Sequence, residues 1–234
     1  MLVFRIASIA ALALLIVSIF LTVSLKNGYL LRKLFFSFYP LYKKINRITA
    51  KIMELSWQEA LQKLKDGNEK YLNAYRNCGD ISPEKRRETF VNGQKPYAAV
   101  VACSDSRVIP ESIFFVGIGE LFTVRVAGNT ADGSVLGSLE YAVSHLKIPL
   151  VVVMGHTDCG AVNAVIGGKS GGRIKMITDK IRLAIGDERD GCRACRLNAK
   201  ACQREVEQEL TELYPAVKVI GALYNTDSGE VEFL

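Results

Sequence analysis

Residues 97–112, YAAVVACSDSRVIPES, and residues 149–162, PLVVVMGHTDCGAV, decide the fold of this chain. Each stretch contains an apolar run rich in β-branched residues, which predicts a buried strand. The first run ends at Cys103, and the second ends at His156, with Cys159 three residues later. Ligands gather outside the carboxyl ends of strands in a parallel sheet, so we expect these three side chains to lie together.

Apolar strands alternate with helices along the rest of the chain, which is typical of a parallel sheet covered on both faces. We predict strands at residues 97–102, 121–126, 150–155 and 217–222, and an edge strand at 230–234. A helix is predicted to begin at residue 57, after an N-cap at Ser56, and Gly67 is a candidate break within it. Further helices are predicted at 83–92, near 110, at 134–146, from 160, at 174–185 and at 197–214. The predicted fold class is α/β, with a central, mainly parallel four-stranded sheet plus the edge strand, flanked by helices.

Composition and charge separate the chain into two unlike parts. The 234 residues are 49% hydrophobic and 23% charged, enough for one well-packed domain and an appendage. The net charge is +6, but eight basic and no acidic residues precede Glu54, which leaves 22 basic and 24 acidic residues from Glu54 onwards. The main domain is therefore near neutral, which argues against nucleic-acid binding by that domain.

The N-terminal part is dominated by the uncharged apolar run IASIAALALLIVSIFLTVSL at residues 6–25. Its length is about that of a membrane-spanning helix, so we interpret residues 1–25 as a retained single-pass anchor, with a cleaved signal segment and secretion as the alternative. Residues 26–55 form a basic amphipathic linker, or a solvated helix in their later part. The positive-inside rule then predicts that the following domain faces the cytoplasm.

Two thiolates and one imidazole are a ligand set that suits zinc. Three firm protein ligands leave a fourth position for water, and Asp105 lies close enough in sequence to occupy that position instead. Arg107, two residues further on, is expected to hold Asp105 ionised and oriented to accept a proton from the water. The alternatives are a buried, inert thiol at Cys103 and a surface ion pair between Asp105 and Arg107.

The CSDSR and HTDCGAV segments, with GIGELFTVRVAGN and LGSLEYAV between them, resemble the β-class carbonic anhydrases. The resemblance covers residues 56–234, which we interpret as the catalytic domain, and it is thin between Gly167 and Lys200. It implies reversible hydration of carbon dioxide to bicarbonate and a proton by zinc-bound hydroxide, with one zinc ion per subunit. It also implies a homodimer or a higher homo-oligomer whose active site lies near the interface between copies.

The resemblance assigns roles residue by residue. It implies that the zinc ligands are Cys103, His156 and Cys159, with Asp105 as a further ligand in a closed state only. The catalytic residues are Asp105 and Arg107, and the substrate-binding residues are Gln94, Phe122 and Tyr141. For Phe122 and Tyr141, ordinary core packing is the alternative. We expect the proton to leave through Asp105, water and buffer rather than through His145.

Two other functions remain open at this point. One is a related zinc hydrolase that acts on carbonyl sulfide or carbon disulfide, and the other is a non-catalytic, membrane-tethered protein that binds zinc or bicarbonate. A bicarbonate transporter is excluded by a single candidate span. Cys192-x-x-Cys195 is a second metal site, a redox pair or two free thiols, and Cys78 and Cys202 have no assigned role.

Overall fold

A computed structural model describes residues 55–76 and 79–234 of the chain. The predicted membrane anchor at residues 1–25, nearly all of the linker at 26–55, and Cys78 lie outside the described residues. Among the helices of the described part, none is long and apolar enough to cross a membrane.

A five-stranded sheet forms the centre of the described domain. Its strands are β1 (Ala98–Ala102), β2 (Leu121–Arg125), β3 (Leu150–His156), β4 (Lys218–Tyr224) and β5 (Val231–Phe233). Their order is β2-β1-β3-β4-β5, with β1 to β4 parallel and β5 antiparallel to β4. The predicted α/β class, with four parallel strands and an edge strand, is therefore confirmed.

Helices cover both faces of this sheet. In the described residues they are α1 (Trp57–Leu72), α2 (Pro83–Asn92), α3 (Pro110–Ile113), α4 (Gly133–His145), α5 (Gly160–Ile166), α6 (Lys175–Ile185) and α7 (Gly191–Leu213), with 3-10 turns at Ala127–Asn129 and Gly172–Ile174. A capping box starts α1, because the Ser56 hydroxyl accepts from the Glu59 N–H and the Glu59 carboxylate accepts from the Ser56 N–H at 2.8 Å.

Two predictions about the helices are wrong. Gly67 does not break α1; it lies where the helix meets the end of α3, and a Cβ there would be 2.0 Å from the Phe114 carbonyl oxygen. Helix α7 begins at Gly191 rather than near 197, because the Asp190 side chain accepts from the Arg193 N–H at 2.8 Å and caps it. The cysteine cluster therefore lies on the helix and not in a preceding loop.

Alternate residues of the buried strands face two hydrophobic layers, as the period of a strand requires. On one face, Val100 and Val152 pack with Leu64 of α1. On the other face, Val101 packs with Leu139 of α4 and with residues of α7. A third cluster, at the carboxyl ends of β1 and β3, contains three cysteines (Cys103, Cys159 and Cys195) and other residues of α5, α6 and α7. This third cluster positions the candidate site.

Candidate metal centre

The three predicted metal ligands meet at one edge of the sheet. Ala102 of β1 is in register with Met154 of β3, so Cys103 and His156 leave neighbouring strands at almost the same level. Cys159 lies three residues after His156, the last residue of β3, and directly precedes the first residue of α5. Their ligand atoms all lie within 4.8 Å of one another, with the two sulfurs 4.0 Å apart, and all three residues are buried.

The state of His156 fits a metal ligand. Its Nδ1 donates to the Thr157 carbonyl oxygen at 2.9 Å, which fixes the tautomer and leaves a lone pair on Nε2. Nε2 is buried and has no hydrogen-bond partner among the described residues. Leaving a buried polar atom unpaired costs about 1–3 kcal/mol. A metal ion bound at Nε2 would remove this cost. One nitrogen and two sulfurs at these separations fit a zinc ion.

Backbone and side-chain donors favour a thiolate at Cys103. Its sulfur accepts from the N–H of Gly128 at 3.2 Å and from the N–H of Asp105 at 3.4 Å. Hydrogen bonding by Cys159, with these N–H groups adding to it, lowers the pKa of Cys103 to about 4. The same sulfur–sulfur contact raises the pKa of Cys159. A cation between the sulfurs would favour the thiolate form of both cysteines.

Asp105 and Arg107 form the predicted pair. The carboxylate of Asp105 accepts at Oδ1 from the backbone N–H and Nε of Arg107, each at 3.0 Å, and at Oδ2 from Nη2 at 2.8 Å. This guanidinium holds the pKa of the Asp105 carboxyl well below its usual range. In the described residues, the carboxylate lies outside the group of ligand atoms formed by Cys103, His156 and Cys159. The closed state with Asp105 as a ligand stays a prediction.

Two further residues hold the site together and were missed from the sequence. Asp158 accepts from Arg107 at its backbone oxygen (3.1 Å) and at Oδ2 (3.4 Å), which joins the CSDSR turn to the HTDC turn. Arg125, at the end of β2, donates to the carbonyl oxygens of Cys103 at 3.0 Å and Asp105 at 2.7 Å. The available signals were an acidic residue between two ligands and a basic residue ending the neighbouring strand.

Gly128 is also required by the geometry of the centre. Its φ is +69°, and a Cβ there would lie 2.7 Å from Cδ1 of Ile181. Helix α7 fixes this turn, because Asn198 donates from Nδ2 to the Gly128 carbonyl at 2.8 Å and the Cys202 thiol donates to the Asn129 carbonyl at 3.0 Å. The turn that supplies a donor to Cys103 is thus tied to the helix behind it.

The predicted substrate-binding residues lie elsewhere in the chain. Gln94 is exposed and precedes β1, at the opposite end of that strand from Cys103. Phe122 of β2 lies 6.3 Å from Tyr141 of α4 between ring centroids, and it packs with the second hydrophobic cluster rather than with the one that contains Cys103. Tyr141 is 46% exposed. A single chain does not bring these three side chains to the ligands.

His145 is exposed at the end of α4. Its ring stacks on Tyr141 with centroids 4.9 Å apart, and its Nδ1 is 2.7 Å from the Ser144 hydroxyl. It belongs to the surface around Tyr141 and not to the group of metal ligands. That the proton leaves through Asp105, water and buffer rather than through His145 stays a prediction.

The family model for carbonic anhydrase matches residues 98–231. This range contains the three metal ligands and also the Asp105–Arg107 pair. The chain belongs to the carbonic anhydrase family. It is similar to carbonic anhydrase 2 of Mycobacterium tuberculosis, with 42% identity over 131 residues, 54% of this chain and 63% of that relative. The carbonic anhydrase of Mycolicibacterium smegmatis is 44% identical over 115 residues, 49% of this chain and 55% of that relative. The chain therefore spans less than two thirds of the length of either relative.

Solved structures of β-carbonic anhydrases share the fold. CafA of Aspergillus fumigatus aligns with a TM-score of 0.56 and 30% identity, over 64% of this chain and 82% of that one. The Coccomyxa enzyme, solved in complex with acetazolamide, aligns with a TM-score of 0.56 and 27% identity, over 66% and 86% of the two chains. The resemblance to the β class drawn from CSDSR and HTDCGAV is confirmed.

Proposed function

We propose that this chain catalyses the reversible hydration of carbon dioxide to bicarbonate and a proton, with one zinc ion per subunit. The observation that carries the proposal is the buried group of two cysteines and one histidine, whose ligand atoms lie within 4.8 Å of one another. Asp105, bound by Arg107, follows Cys103 by two residues. Membership of the family and similarity to named carbonic anhydrases support the same activity.

Cys103, Cys159 and Nε2 of His156 would hold the zinc ion. When bound, zinc lowers the pKa of water to about 7 and so makes hydroxide available at neutral pH. The chain contributes by keeping its ligands oriented. The Thr157 carbonyl fixes the His156 ring through Nδ1, and the Gly128 N–H supports negative charge on the Cys103 sulfur.

Asp105 and Arg107 would orient the attacking group. Because Arg107 holds its pKa well below the usual range, Asp105 is an ionised hydrogen-bond acceptor at neutral pH. By accepting the hydrogen of the attacking hydroxyl, Asp105 would orient a lone pair of that oxygen towards the carbon of carbon dioxide. Asp105 does not retain the proton at this pH, so the proton passes to water and buffer.

We further propose that Gln94, Phe122 and Tyr141 bind substrate in an assembly of two or more copies. Two observations support this: one chain keeps these side chains away from its own ligands, and β2 is an edge strand of the sheet with Tyr141 exposed on the neighbouring helix. β-Carbonic anhydrases of Sordaria macrospora are described as tetrameric.

Mixing inactive Tyr141→Ala and Cys103→Ala proteins under subunit exchange should restore part of the activity. No recovery after verified exchange contradicts the shared site.

A membrane location is proposed from the sequence. The uncharged run at residues 6–25 has the length of a span, and the basic residues after it favour a cytoplasmic domain. The full chain should stay in the membrane pellet after an alkaline carbonate wash, and its domain should resist protease added to intact cells. Release by the wash contradicts the anchor, and digestion from outside contradicts the orientation.

Zinc-dependent turnover tests the activity itself. Stopped-flow carbon dioxide hydration by purified protein of measured zinc content should rise in proportion to bound zinc. The Asp105→Ala, Arg107→Ala double variant should bind zinc and lose most of the rate, since neither change removes one of the three ligands. Full rate in that variant contradicts the assigned dyad. Turnover of carbonyl sulfide or carbon disulfide in place of carbon dioxide contradicts the substrate.

A further inference from the structure

Two cysteines outside the ligand group lie one turn apart at the start of α7. Cys192 is exposed, whereas Cys195 is buried, with 2% of its surface exposed. Among the cysteines of the described part, the other three are also buried, so Cys192 is the thiol that a reagent in solvent can reach. The described residues place no third metal-binding side chain with this pair, which leaves a redox pair or two free thiols as the alternatives.

The spacing suits a disulfide at this position. Residues three apart on a helix have Cβ atoms about 5–6 Å apart, and a disulfide needs about 3.5–4.5 Å. Closing the bond therefore takes a shift of about 1–2 Å. The shift falls in the first two turns of α7, directly after the Asp190 cap and Gly191, where the backbone is least constrained by helical hydrogen bonds.

Cys195 touches the turn that carries the metal ligands. It lies in the same buried cluster as Cys103 and Cys159. A Cβ built on Gly155, the residue before His156, would lie 3.3 Å from the Cys195 carbonyl oxygen and 2.9 Å from Cβ of Ala199. This part of α7 is therefore packed against the backbone next to His156 and lies in one cluster with Cys159.

We propose that Cys192 and Cys195 are a redox-active dithiol whose oxidation by a small-molecule disulfide loosens the metal centre. The Cys192 sulfur attacks the small disulfide, a protein mixed disulfide forms, and one small thiol leaves. The Cys195 sulfur then attacks the Cys192 sulfur, the intramolecular disulfide forms, and the second small thiol leaves. The two protein thiols are oxidised, and one small disulfide is reduced to two thiols.

Disulfide formation should weaken metal retention because it displaces the Cys195 sulfur, although neither cysteine is a metal ligand. Moving the Cys195 sulfur towards Cys192 takes it out of its packing with Cys159 and strains the packing of α7 against Gly155. Changes in the residues that surround metal ligands typically cost about 10- to 100-fold in metal affinity. This consequence rests on the proposed zinc site, whereas formation of the disulfide does not.

The test uses the zinc-loaded full chain and oxidised glutathione as the probe. Peptide mass mapping after alkylation should find a bond between Cys192 and Cys195. Zinc transfer to a metallochromic chelator should become about ten times faster or more, and a dithiol reductant should reverse both changes. Cys192→Ser should abolish both responses and keep the zinc retention of the reduced wild type. Cys78→Ser, which leaves the dithiol intact, is the matched control and should respond like the wild type.

The outcomes separate the two proposals. Reduced protein that binds no zinc contradicts the proposed function, while the mapped disulfide can still be scored. Reduced protein that binds zinc but forms no Cys192–Cys195 bond overturns the dithiol. Unchanged zinc transfer in the oxidised protein overturns it as well, and so does an equally large response in Cys192→Ser.

Discussion

Arg107 binds Asp105 through Nε and Nη2, and the same Nη2 lies 3.1 Å from the backbone oxygen of Asp158. One guanidinium therefore fixes the carboxylate and also ties the turn after β1 to the turn after β3. Each turn carries metal ligands, so the planar fork of Arg107 sets the spacing between the dyad and the metal centre.

Arg107→Lys tests whether catalysis needs the planar guanidinium of Arg107 or only its positive charge. A single ammonium cannot bind both carboxylate oxygens and the Asp158 carbonyl in one plane. We expect carbon dioxide hydration to fall about 10- to 100-fold while zinc content stays near that of the wild type. Stopped-flow rates and metal analysis of the same sample measure both. An unchanged rate shows that charge alone suffices.

Gly128→Ala should weaken the metal centre by shifting the backbone turn that donates to Cys103. The residue has φ +69°, and the new Cβ would meet Ile181 at 2.7 Å. We expect a loss of unfolding free energy of about 1–3 kcal/mol and weaker zinc retention, because the turn that donates to Cys103 must shift.

The matched control for that change is Gly137→Ala. Gly137 lies inside α4, and a Cβ there meets no atom of the described residues within 4 Å. This substitution should leave zinc retention unchanged and stabilise the protein by about 0.5–1 kcal/mol, which thermal and denaturant unfolding both measure. Equal zinc retention in the two variants contradicts the role of the Gly128 turn.

The sheet could be predicted from the sequence because its strands are uninterrupted apolar runs. The prediction of 97–102 for β1 and 150–155 for β3 differs from the structure by one residue each. The start of α7 could not be found in this way, since GCRACRLNAKAC lacks a clear apolar period; its signal was the Asp190 cap.

The metal ligands were also predictable, because parallel strands bring their carboxyl ends to one edge. The contacts of Arg107 with Asp158 were not, since they depend on Asp158 adopting a φ of +55°, which spacing does not encode. The positions of Gln94, Phe122 and Tyr141 relative to the site depend on how copies of the chain meet, and a strand pattern carries no information about that contact.

Burial of Cys202 should give the protein a specific sensitivity to alkali. Desolvation raises the pKa of this thiol from its ordinary value near 9 to about 12. Because the folded state keeps the proton, its stabilising contribution is complete below about pH 9 and is lost as pH rises towards about 12. In this window, the wild type should lose up to about 1.4 kcal/mol per pH unit more than Cys202→Ala does. If the unfolding free energies of the wild type and Cys202→Ala fall equally with pH, the raised pKa of Cys202 is contradicted.

Removal of zinc should lower stability through the ligand turns. A metal that binds only the folded state stabilises it by about 2.7 kcal/mol at 100 times its dissociation constant. Chelation should therefore lower the thermal midpoint of the wild type, and added zinc should restore it. Cys159→Ser, which removes one sulfur but keeps the fold of the sheet, should show a much smaller shift on chelation. If its shift equals that of the wild type, the stabilising zinc is bound elsewhere and the three-ligand centre is wrong.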